Sequence, residues 1–110
     1  MALTRAFRET VQARVKRDPA FREALLTEGV DAFLAGDVET GKAVLRDFIN
    51  ATVGFGRLGA AMGAPPKSLM RMFSPSGNPT ASNLFGALGE LQRQAGVQLH
   101  ARRAREAEAG

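Results

Sequence analysis

Apolar residues return every three or four positions along most of the chain, the period of helices that bury one face. Phe7, Val11 and Val15 make the first stripe, surrounded by Arg8, Arg14, Lys16 and Arg17, and Thr4 is placed to cap the helix that carries it. Asp18-Pro19 pairs a capping carboxylate with the residue best suited to a first helical position. It opens a second helix along Phe21, Leu25, Leu26, Val30, Phe33 and Leu34, with Gly29 inside it. Gly36 suits a left-handed stop, and Asp37 caps a third helix through Val44, Leu45, Phe48 and Ile49, leaving Asn50 to Gly54 as its exit.

The stretch from Phe55 to Phe73 reads as two short helices with a sharp corner between them. Leu58 and Met62 share a helix face, Gly59 is small, and Gly63 stands where a tight turn needs positive φ. Pro65 and Pro66 cannot continue the first helix, but proline fits the first turn of a new one. Leu69, Met72 and Phe73 then form an inward stripe, while Lys67, Met70 and Arg71 point the other way. This spacing predicts a helix-turn-helix at about 55–73, its second helix outward to read a major groove. The polar turn-forming loop Ser74 to Pro79 follows, with groups placed to touch a DNA backbone. Thr80 or Ser82 caps a last helix presenting Leu84, Phe85, Leu88 and Leu91, a face that packs either the hairpin or a second subunit. Gln94 to Leu99 is expected as a short extended piece, with Val97 and Leu99 on one side.

With seven Phe, no Trp or Tyr, and almost no alternating β-branched runs, a sheet protein is not expected. The prediction is an all-α fold: a compact bundle of about five or six short helices containing the helix-turn-helix. Residues 1–100 are expected to form one domain, and 101–110, which lack a large apolar residue, a flexible tail.

Net charge is modest, 15 basic against 11 acidic residues, but its distribution changes the picture. Residues 1–47 hold eight of each sign and are expected to form a solvated surface of weak ion pairs. Residues 48–89 hold three basic residues, Arg57, Lys67 and Arg71, and no acid. A surface that meets phosphates has reason to exclude carboxylates, which a purely structural hairpin does not. Absence of Cys removes disulfides, thiolate metal sites and a cysteine nucleophile; with a single His100 and no hydrolase or phosphate-loop motif, neither an enzyme nor a cofactor is expected. With no apolar leader or long apolar run, a cytoplasmic protein without a membrane partner is expected.

The run GDVETGKAVLRDFINATVGFGRLGAAMGAPPKSLMRMFSPSGNPTASNLFGALGELQRQAGV, residues 36 to 97, resembles the addiction-module antidote proteins, a HigA-like branch of the Cro and phage-repressor type helix-turn-helix family. PPKSLMRMFSPSGNP is its most specific part, while Gly54, Gly56 and Gly59 depart from the Glu and Ala more usual before the turn. The resemblance implies a lambda-repressor-like DNA-binding fold and an antitoxin that autorepresses its operon as a dimer and binds a RelE- or ParE-like toxin. It places the start of the reading helix on Pro66, Lys67 and Ser68, its exposed middle on Met70 and Arg71, and the following loop on Ser74, Ser76 and Asn78. Operators are usually met by symmetric pairs, so a homodimer is expected, with Leu84, Phe85, Leu88, Leu91, Val97 and Leu99 as candidates for its surface. Two other readings stand beside it: a stand-alone regulator without a toxin, and a helical adaptor that holds a protein partner and binds no DNA.

Overall fold

Local chemistry at the helix ends decides where the chain turns. The computed structural model describes residues 5–104, which form six α-helices and no strand. In chain order these are α1 (Arg5–Arg17), α2 (Pro19–Leu34), α3 (Val38–Ala51), α4 (Gly54–Met62), α5 (Pro66–Met72) and α6 (Ala81–Ala95). Thr4 and residues 105–110 of the expected tail lie outside the described residues. Asp18 Oδ1 accepts the backbone N–H groups of Ala20 and Phe21 at the start of α2, and Asp37 accepts that of Thr40 at the start of α3. Gly36 is left-handed, with φ +84, between them. Thr80 caps α6 by accepting the N–H of Asn83. These satisfy donors that a helix start leaves without partners.

α6 runs through Gln94 and Ala95 before Gly96 ends it in a left-handed C-cap, so the extended piece expected from Gln94 begins only after Gly96. Glutamine and alanine are good helix formers, and a mid-sequence glycine at C′ is what stops the helix.

α2 packs most extensively on α3, α1 touches both, and α4 packs on α3, α5 and α6. One core joins the helices: Leu26 from α2, Leu45, Phe48 and Ile49 from α3, Phe55 and Leu58 from α4, Leu69 from α5, and Leu88 and Leu91 from α6. Val15 of the first stripe is fully buried and Val11 partly so. Among the described residues no helix is long and apolar enough to cross a membrane.

Candidate nucleic-acid interface

The α4–α5 corner is built from small residues and proline. Gly63 is left-handed at φ +70, and the Ala64 N–H donates to the Gly59 carbonyl at 2.9 Å. A Cβ on Gly59 would lie 2.5 Å from the Ala64 oxygen, so only glycine lets the corner close this tightly over α4. Pro65 is extended, and its carbonyl accepts from Ser68 and Leu69 as α5 begins.

At seven residues, α5 is too short to persist alone. Leu69 and Phe73, both fully buried, anchor it, each contributing about 1.5–3 kcal/mol by leaving water. That fixes its opposite side: Pro66, Lys67, Met70 and Arg71 are exposed, Met70 at 51% despite being apolar. Ser68 is half-buried.

Two cations from α3, not singled out by the chain's pattern, hold the far end of α5. Arg46 Nη1 donates to the Phe73 carbonyl at 2.6 Å, and Lys42 Nζ donates to the Pro75 and Gly77 carbonyls at 3.2 and 2.6 Å. Lys42 is 2% exposed and pairs with Glu39 at 3.2 Å. It therefore departs from the solvated surface expected of residues 1–47: burial of its ammonium is tolerated because carbonyls and a carboxylate replace water around it. The clue lay in the loop, whose carbonyls had no strand or helix to receive them.

Ser74 Oγ donates to the Arg71 carbonyl at 2.7 Å and is partly buried, so this hydroxyl closes the end of α5, whereas Ser76 and Asn78 are exposed. Lys67 and Arg71 carry no ion pair among the described residues. Arg57 is exposed too, but it shares a recess with Lys16 and Arg22, beside the start of α4. The predicted residues thus divide into the α5 face with its loop, and Arg57 grouped with α1 and α2.

The expected dimer surface needs correction. Leu91 is fully buried and Leu88 is 7% exposed, both in the molecule's own core, and Leu84 and Leu99 pack against it. The stripe of α6 faces inward because α4 lies across it. Val97 is partly buried, and Phe85, at 67% exposure, is the candidate that stands clear. Together with Leu34, 73% exposed, Phe85 edges an apolar groove of about 490 Å³ between α2, α6 and residues 99–102.

Comparison of the chain with protein-family models, with curated proteins and with solved structures gives no match, so the side chains themselves are the ground for assigning a function.

Proposed function

We propose that the protein is a sequence-specific DNA-binding transcriptional regulator in which α4 and α5 form a helix-turn-helix and α5 is the reading helix. One observation carries this reading: α5 presents Lys67, Met70 and Arg71 to solvent, neither cation in an ion pair among the described residues, within a stretch from Phe48 to Gly89 that contains no carboxylate. An α-helix with its side chains is about 10–12 Å across, a fit to the roughly 12 Å width of the major groove. Lys67 suits a phosphate, and Arg71, with its forked guanidinium, suits a guanine edge.

Fluorescence anisotropy with the protein's own upstream DNA tests the assignment. Lys67→Ala is expected to weaken binding to all sequences and to lower the salt slope by about one. Arg71→Ala is expected to cost about 1–3 kcal/mol, chiefly against one base pair. Equal losses on cognate and random duplexes for both variants would refute these roles, and no salt-dependent binding at all would refute the reading.

The resemblance to antidote proteins extends this to an antitoxin, acting as a homodimer that represses its own operon. The eight acids of residues 1–47 lie outside the reading segment, and three of them, Glu23, Glu28 and Asp31, stand exposed on α2, a side suited to a basic toxin. Co-expression with the adjacent reading frame decides it: a stable complex and relief of growth arrest support the antitoxin role. A harmless neighbour that does not co-purify leaves a stand-alone regulator.

A further inference from the structure

A recess of about 380 Å³ opens where the ends of α1 and α6 meet the link between α3 and α4. Lys16 from α1, Arg22 from α2 and Arg57 from α4 line it, with Thr52 and Gln94 beside them and no carboxylate in the wall among the described residues. None of the three cations carries an ion pair among the described residues. Two acids close to the cluster along the chain are engaged elsewhere: Asp18 with the start of α2 and with Arg14, Glu90 with Arg93 and Gln94.

Arg22 is the fixed point of this cluster. Its Nη1 donates to the Val15 carbonyl at 2.9 Å, which closes the end of α1 and holds the guanidinium in place. Its Nε is buried and has no hydrogen-bond partner. A buried donor without an acceptor is costly, and three like charges around one hollow repel each other. Both penalties vanish if an anion with several acceptor oxygens sits among them. α4 also begins here behind Val53, with no side chain accepting its first N–H groups.

We propose that this recess binds a phosphate group, with Lys16 and Arg57 balancing its charge and Arg22 Nε donating to one oxygen. Two guanidiniums and an ammonium arriving from three different helices match a tetrahedral phosphate, with its oxygens spread in space, better than a planar carboxylate. The site does not depend on α5 reading DNA: a free phosphate ester fills it as well as a DNA backbone does.

The test is titration of the full-length chain with inorganic phosphate at constant ionic strength, followed by two-dimensional NMR of the backbone amides and the arginine Nε–H signals. Saturable shifts are expected at Thr52 to Arg57 and at the Arg22 Nε–H. Lys16→Ala and Arg57→Ala, both at exposed positions, are expected to weaken binding about tenfold or more. Arg103→Ala, which removes one charge from the exposed segment after α6, is expected to leave it unchanged. Shifts that never saturate, or equal affinity in all three variants, would overturn the proposal. A random-sequence duplex then identifies the source of the phosphate. Displacement of the bound phosphate assigns the site to the DNA backbone, and retention assigns it to a free phosphate compound.

Discussion

Lys42 Nζ lies 2.6 Å from the Gly77 oxygen and 3.2 Å from that of Pro75, so one buried ammonium ties α3 to the loop that follows α5. Lys42→Met keeps the apolar stem and deletes the donor. The expected loss is about 1–3 kcal/mol, since carbonyls placed for an ammonium are left without it. Urea unfolding would measure this. Gly77 is equally constrained, because a Cβ there would run into the backbone oxygens of Arg71 and Met72. Gly77→Ala is expected to destabilise by about 1–3 kcal/mol or more through overpacking, and to shift the amide resonances of Arg71 to Asn78. Residues whose work is local, such as Gly63 and Asp37, were legible in the linear pattern because their partners lie within a few positions. Lys42 reaches a carbonyl 35 residues away, and no spacing rule points there.

At the scale of helices, the starts of α2 and α3 depend on carboxylates. The Phe21 backbone N–H, aided by Arg14, holds the Asp18 carboxyl below its ordinary value of 3.8, and Thr40 does the same for Asp37. A carboxyl whose folded pKa is depressed contributes stability above its unfolded pKa and loses it as pH falls through the folded one. The melting temperature is therefore expected to drop as pH falls below about 3.8. In Asp18→Asn, which still caps but does not titrate, the dependence should be shallower, a difference calorimetry at pH 2.5 to 5 would resolve. Helix starts could be read from the sequence, and the α4–α5 corner with its inward Leu69 and Phe73 could as well. What could not be read was which neighbour an apolar stripe meets: Leu88 and Leu91 have the pattern of an interface, yet α4 of the same chain covers them.

Over the whole molecule, the large apolar side chains left in water are few: Leu34, Val38, Met70 and Phe85 among the described residues. Met70 belongs to the proposed reading face, whereas Leu34 and Phe85 flank the groove between α2 and α6. If two copies meet there, Phe85→Asp should give a monomer mass by light scattering while leaving the unfolding midpoint nearly unchanged at a dilution where the parent is also monomeric, because Phe85 is 67% exposed in the single chain. A monomer already in the parent protein would remove this surface from consideration. The clamp on the loop after α5 also governs how the molecule would be digested. By composition, residues 74–79 are where a broad-specificity protease would be expected to nick first. To enter a protease cleft, however, that segment must be drawn out straight, which means pulling Gly77 from Lys42 and the Phe73 carbonyl from Arg46. Digestion should therefore trim the exposed residues 100–104 quickly, whereas the loop is cut only as often as the entire fold opens.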